Sequence, residues 1–115
     1  ETILVVEDNE DLRVFLNNQL GKYYQIITTS NGVEAMETLK KHIISLIISD
    51  VMMPIMDGYE ATIQIRKKDK KIPILAMSAN AYMQDIQKCY QAGMNGHISK
   101  PLYLEDLKDR IIQIL

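Results

Sequence analysis

Three carboxylates, one hydroxyl and one ammonium stand out in this sequence because each follows a short apolar run. Glu7 and Asp8 come after Ile3-Leu4-Val5-Val6, and Asp50 comes after Leu46-Ile47-Ile48. Ser78-Ala79 closes a run that starts at Ile72, and Lys100-Pro101 follows Ile98. Brought together, three carboxylates repel one another strongly. A hard divalent cation resolves that repulsion, and oxygen donors with room for water suit Mg²⁺. Lys100 then supplies a positive charge that the cation does not need. Such a charge is useful when a further anion joins the site, and a phosphoryl group is the obvious one. Ser78 and the backbone N–H of Ala79 can donate hydrogen bonds to it. The chemistry implied is phosphoryl transfer, in which a protein supplies positioning and charge neutralisation around in-line oxygens.

These residues meet only if the fold carries four separate stretches to one rim. Strands and helices alternate along the chain. Ile3 to Val6 is a continuously apolar strand of the kind buried on both faces. Leu12, Phe15, Leu16 and Leu20 repeat at helical spacing, and Gly21 stops that helix. Gln25 to Thr29 is β-branched and predicts a second strand. Asn31 with Glu34 resembles a capping box, and Ala35, Met36 and Leu39 give the next helix its apolar face. The third strand ends at Asp50, and a helix opens near Asp57-Gly58 with Ala61, Thr62 and Ile65 on one face. Ile72 to Met77 predicts the fourth strand. Met83, Ile86 and Tyr90 mark the fourth helix, which Gly93 ends. A very short fifth strand holds Ile98, and Leu104, Leu107, Ile111 and Ile114 mark the last helix. Strict alternation implies an α/β fold, a doubly wound parallel sheet with helices on both faces. In such sheets ligands bind beyond the carboxyl ends of the strands, where all five chemical groups lie.

Composition narrows the remaining possibilities. At 115 residues the chain suits one domain with a single core. Apolar residues make up 47% and charged residues 24%, a globular balance. The formal charge of −2 argues against direct nucleic-acid binding. No apolar run approaches the roughly 20 residues of a membrane helix, so no membrane contact is expected. Lys67, Lys68, Lys70 and Lys71 are interrupted by Asp69 and sit at a helix end, where cations are favoured; they predict a solvated turn. The lone Cys89 has no disulfide partner and suits a packing role on its helix. The sequence begins at Glu1 and stops at Leu115 within an apolar helical pattern, so residues 1–115 are expected to be one domain of a longer protein.

Over its whole length the chain resembles the response-regulator receiver domains of two-component signalling systems. The motifs are Glu7-Asp8, Ser49-Asp50-Val51-Met52-Met53-Pro54 with Asp57-Gly58, Ser78-Ala79 and Lys100-Pro101. The resemblance implies a flavodoxin-like five-stranded sheet of order 2-1-3-4-5 with five helices. It implies that Asp50 is the nucleophile that takes the phosphoryl group from a phosphohistidine. Asp8, Asp50 and the Met52 carbonyl would ligate Mg²⁺, or Mn²⁺ in its place, with Glu7 holding bound water. Lys100 would pair with Asp50 or the phosphoryl group, Ser78 and the Ala79 N–H would hold phosphoryl oxygens, and Met52 and Asn80 would tune hydrolysis. Lys100–Pro101 is similar to the family's cis peptide bond. The partners implied are a histidine kinase or a histidine phosphotransfer domain, with an output unknown and a cytoplasmic location. The domain would catalyse its own phosphorylation and slow hydrolysis without turning over a free metabolite.

Three positions depart from the family pattern, one of them Ser78, where Ser replaces the commoner Thr and keeps the donor. The acidic pair is Glu-Asp rather than Asp-Asp, and the extra methylene suits Glu7 to a water-mediated role. His97 stands where the family usually has a switch Tyr or Phe. It is read either as a strand residue with no switching role or as a switch sensitive to pH. The Gly-His-Ile-Ser-Lys-Pro stretch resembles receivers of hybrid sensor kinases, which suggests that origin. Three other readings fit less well. A phosphatase of the haloacid-dehalogenase-like group would carry an acid where Met52 stands. An FMN carrier would need donors, not Glu7-Asp8-Asn9-Glu10-Asp11, around its phosphate. A pseudo-receiver would have lost one of the acids, the hydroxyl or the lysine. Singly, the site residues have plainer roles: Asp50, Asp8, Asn9 or Ser78 as caps, and Lys100 as a surface lysine.

Overall fold

The computed structural model of the chain describes residues 1–51, 57–79 and 83–115, apart from the side chain of residue 83. Among these, strands and helices alternate without exception. The order is β1 (Thr2–Val6), α1 (Glu10–Leu20), β2 (Gln25–Thr29), α2 (Gly32–Lys41), β3 (Leu46–Asp50), α3 (Gly58–Lys68), β4 (Ile74–Ser78), α4 (Met83–Ala92), β5 (Gly96–Ser99) and α5 (Leu104–Ile114). The strands form one parallel sheet in the order β2-β1-β3-β4-β5, as the resemblance implies.

The continuous apolar runs are explained by a sheet with two covered faces. Successive side chains of a strand point to opposite faces. Ile3 and Val5 join Leu16 and Leu20 of α1 and Leu107 and Ile111 of α5 in one core cluster. Leu4 and Val6 join Ala35 of α2, Tyr59 and Ile65 of α3 and Cys89 of α4 in the other. Each fully buried aliphatic side chain contributes about 1.5–3 kcal/mol. These two cores hold the strand ends at one rim.

Local chemistry fixes where the helices begin. Asn9 caps α1, accepting the Leu12 N–H at 3.0 Å. Asn31 caps α2, accepting the Glu34 N–H at 2.9 Å, while Glu34 reaches back to the N–H and hydroxyl of Ser30, both at 2.7 Å. The box is therefore closed on Ser30, one residue before the cap. Asp57 caps α3, accepting the Glu60 N–H at 2.8 Å. Gly93 ends α4 with φ of +109°, where a side chain would be strained. Gly21 differs: its φ is −62°, and it caps α1 through an N–H donated to Asn17 rather than by a left-handed turn.

Three expectations need correction. The fourth strand starts at Ile74, not Ile72. The Asp69 carboxylate takes the N–H groups of Lys71 and Ile72, and Pro73 has none, so ladder pairing starts later. Phe15 is 42% exposed at the edge of the α1 stripe. Tyr90 is exposed, and its neighbour Cys89 is buried. Lys67, Lys68, Lys70 and Lys71 are all exposed, as a solvated turn requires.

Candidate functional site

The rim begins with β1. The ladder to β2 continues one residue past the strand, with Glu7 N–H donating to the Thr29 carbonyl at 3.0 Å. This draws the Glu7 side chain inward, and it is fully buried, whereas Asp8 is exposed. The next strand, β3, delivers Asp50, which is 5% exposed. Asp50 is also fixed from behind. Gly58 packs so closely that a Cβ there would meet the Asp50 carbonyl oxygen and lie 2.8 Å from the Val51 Cα. Oxygens from Glu7, Asp8 and Asp50 all lie within 4.8 Å of one another.

The counter-charge comes from the other side of the sheet. Backbone N–H of Lys100 donates to the Ser78 carbonyl at 2.7 Å, which ties the end of β5 to the end of β4. The Lys100–Pro101 peptide bond is cis. Lys100 Nζ donates to Glu7 Oε1 at 2.7 Å and to Asp50 Oδ2 at 3.0 Å. Ser78 is buried at the same rim, and Ala79 beside it is exposed. Met52 and Asn80 lie outside the described residues.

The electrostatics follow from burial. Desolvation pushes the Glu7 carboxyl up to about 7, against the opposing pull of Lys100 and of the Asn9 N–H, and the nearby Asp50 adds to the rise. Burial also works against the charge on Lys100, but its hydrogen bonds to Glu7 and Asp50 outweigh that, and its pKa ends above the ordinary lysine value.

Five of the sequence-derived residues thus meet at one rim: Glu7, Asp8, Asp50, Ser78 and Lys100. His97 is buried in β5 opposite Ala76, and its carbonyl accepts a hydrogen bond from Arg110 Nη2 at 3.1 Å. Sequence reasoning missed Arg13. Its Nη1 donates to the Glu7 carbonyl at 2.8 Å and to the Asp8 carbonyl at 3.5 Å, holding the acidic loop in place. A signal existed, since a cation in the first turn of a helix sits where acids are favoured. An apolar cavity of about 300 Å³ between α2 and α3, lined by Met36, Leu39, Ile43 and Ile65 among others, includes none of the rim residues.

The family model for the response regulator receiver domain matches residues 3–112. The chain belongs to this family. Sensor histidine kinase RcsC of Salmonella typhi is 41% identical over 110 residues, which cover 95% of this chain and 12% of that protein. Hybrid signal transduction histidine kinase B of Dictyostelium discoideum is 37% identical over 127 residues, covering 98% of this chain and 6% of that protein. The chain therefore spans a small part of these relatives. The receiver domain of sensor histidine kinase PA1611 from Pseudomonas aeruginosa PAO1, solved with a magnesium ion in its active-site cleft, is 34% identical. It superposes with a TM-score of 0.88 over 98% of this chain and 94% of that one. Chemotaxis protein CheY4 of Vibrio cholerae is 29% identical, with a TM-score of 0.95 over 99% and 98% of the two chains.

The protein is thus a receiver domain of two-component signalling, homologous to the receivers of hybrid histidine kinases. Receiver domains bind Mg²⁺ at an acidic pocket, and the Glu7, Asp8 and Asp50 oxygens make a donor set that fits a hard cation. Among the described residues no helix is long and apolar enough to cross a membrane.

Proposed function

We propose that this receiver domain takes a phosphoryl group onto Asp50 from a phosphohistidine on a histidine kinase or a histidine phosphotransfer domain. The observation that carries the reading is Lys100 Nζ, 3.0 Å from Asp50 Oδ2 and beside a cluster of three carboxylates. A structural ion pair of Lys100 with Glu7 and Asp50 has no use for the third acid, Asp8. Mg²⁺, or Mn²⁺ in its place, would be held by Asp8, Asp50 and the Met52 carbonyl, with Glu7 reaching it through water, and would offset the negative charge of the phosphoryl oxygens.

The chain's own residues do the rest. A carboxylate oxygen of Asp50 attacks phosphorus in line, forming a P–O bond as the P–N bond to the donor imidazole breaks. The imidazole leaves with the bonding pair and takes a proton from solvent. Lys100 stays cationic through this step, because its neighbours hold its pKa high, and it pairs with a phosphoryl oxygen afterwards. The Ser78 hydroxyl and the Ala79 N–H donate to another. Closing these contacts draws the ends of β4 and β5 together, which biases a two-state equilibrium rather than building a new fold. Met52 and Asn80 would tune the rate of hydrolysis, as the family resemblance implies.

The hybrid-kinase relatives support the further reading that residues 1–115 belong to a larger cytoplasmic signalling chain. The test is transfer from a radiolabelled phosphohistidine domain. Wild-type chain should take up label as an acyl phosphate that hydroxylamine releases, and Asp50→Asn should take up none. Full labelling of Asp50→Asn would show that another residue is the acceptor.

A further inference from the structure

Asp8 is the least supported of the three acids. It is exposed, yet it offers an oxygen within 4.8 Å of oxygens from Glu7 and Asp50. Like charges at that spacing push apart. Glu7 is held against this by Lys100 at 2.7 Å and by the Asn9 N–H at 3.1 Å, and Asp50 by Lys100 at 3.0 Å. Among the described residues the Asp8 carboxylate takes no hydrogen bond and no ion pair. Its aim is therefore set by its main chain.

That main chain is anchored on both sides and gripped in the middle. Glu7 N–H donates to the Thr29 carbonyl at 3.0 Å, and Asn9 is tied to α1 by accepting the Leu12 N–H at 3.0 Å. Between them, Arg13 Nη1 donates to the Glu7 carbonyl at 2.8 Å and, more weakly, to the Asp8 carbonyl at 3.5 Å. These carbonyls belong to the two peptide planes that meet at the Asp8 Cα. A peptide unit is planar and rigid, so holding both planes fixes the direction in which the Asp8 Cβ leaves the chain. Arg13 stands in the first turn of α1 behind Glu10 and Asp11, where the helix dipole disfavours a cation. Helix stability alone would choose another residue there, and the loop carbonyls supply the reason for a guanidinium.

We propose that Arg13 is a positioning residue for divalent-cation binding: by fixing both peptide planes around Asp8 it aims that carboxylate into the acidic cluster. This rests on the cation-site reading above and adds a residue that acts without touching the cation. Two effects of Arg13 oppose each other. Its positive charge, felt through the field, weakens cation binding, and its grip on the loop strengthens it. The charge lies at a partly exposed position, where salt screens it. Partners that orient a metal ligand are typically worth about 10–100-fold in metal affinity. The grip is the larger effect, so removing this positive charge loosens the hold on a cation instead of tightening it.

The test is Mg²⁺ affinity with no phosphoryl donor present, read by amide NMR shifts on the 115-residue chain, Arg13→Met and Arg13→Lys. Arg13→Met removes the charge and both contacts, and its Kd for Mg²⁺ should rise about tenfold. Arg13→Lys keeps the charge but replaces the planar fork with a point donor, and its Kd should fall between the other two. In the metal-free proteins the amide signals of Glu7, Asp8 and Asn9 should move in both variants. Urea melts separate this role from a general loss of stability. An Arg13 that only stabilised the fold would lower the urea midpoint and leave the Kd of the folded protein unchanged, or lower it through the field. Such a Kd in Arg13→Met overturns the proposal while the cation site stands. If Arg13→Met does not fold, Arg13→Lys decides alone, and a Kd equal to that of wild type overturns the proposal. Absence of any Mg²⁺ binding by wild type overturns the cation-site reading and the role of Arg13 with it.

Discussion

Asp8→Asn should make the metal-free domain more stable, because it removes a charge while keeping the shape. Asp8 is the exposed member of a cluster whose oxygens lie within 4.8 Å of one another. At that separation two unit charges repel by about 0.9 kcal/mol in water and about 3.5 kcal/mol at an effective dielectric of 20. Exposure puts Asp8 near the lower figure. Glu7, lifted by burial to about 7, carries only part of its charge near neutral pH, and Lys100 offsets some of the rest. The net gain from Asp8→Asn is then about 1 kcal/mol. For a domain of this size that raises Tm by about 4 °C. Mg²⁺ should invert the order. Wild type at a cation concentration about 100-fold above its Kd gains about 2.7 kcal/mol by mass action, and a variant lacking a ligand forfeits most of it. Urea unfolding of both proteins, in EDTA and in Mg²⁺, measures all four stabilities. An Asp8→Asn protein that is less stable than wild type in EDTA would refute a net repulsion of Asp8 by its neighbouring carboxylates.

Other substitutions test the surrounding frame. Gly58→Ala forces a Cβ against the backbone of Asp50 and Val51, which cannot yield as a side chain can. It should cost about 1–3 kcal/mol in denaturant melts and shift the amide resonances around Asp50; an unchanged melt would contradict the close packing described. Glu34→Ala opens the capping box at Ser30 and should cost about 1 kcal/mol at neutral pH. The Ser30 N–H holds the Glu34 carboxyl below its ordinary value of 4.5, so this contribution is complete above that pH and is lost as pH falls through the folded value. The gap between wild type and Glu34→Ala in thermal melts should therefore narrow below about pH 4.5, and a gap that widens there would reject the assignment.

The fold was legible because parallel strands buried on both faces leave an unbroken apolar signature, as at Ile3 to Val6 and Leu46 to Ile48. The site was legible for a related reason. Each of those runs stops at a charged or hydroxylic residue, and parallel strands put all such stops on one rim. Helix faces were less sharp. Phe15 follows the 3.6-residue period nearly as well as Leu16, yet only the latter points at the sheet, because one residue turns the direction by about 100°. The start of β4 was hidden because Asp69 claims two N–H groups that a strand would have used. The pairing of Lys100 with Asp50 follows from the resemblance, and least legible was its sharing with Glu7. It depends on side-chain reach between residues 93 and 50 positions apart, which no local pattern encodes.

Intact mass after incubation with Mg²⁺ and acetyl phosphate, with Asp50→Asn in parallel, tests the central claim most directly. Wild type should gain one phosphoryl group, lose that gain when EDTA is present, and Asp50→Asn should stay unmodified. A wild-type gain that persists in EDTA, or an equal gain on Asp50→Asn, would contradict the account of Asp50 as a cation-dependent phosphoacceptor.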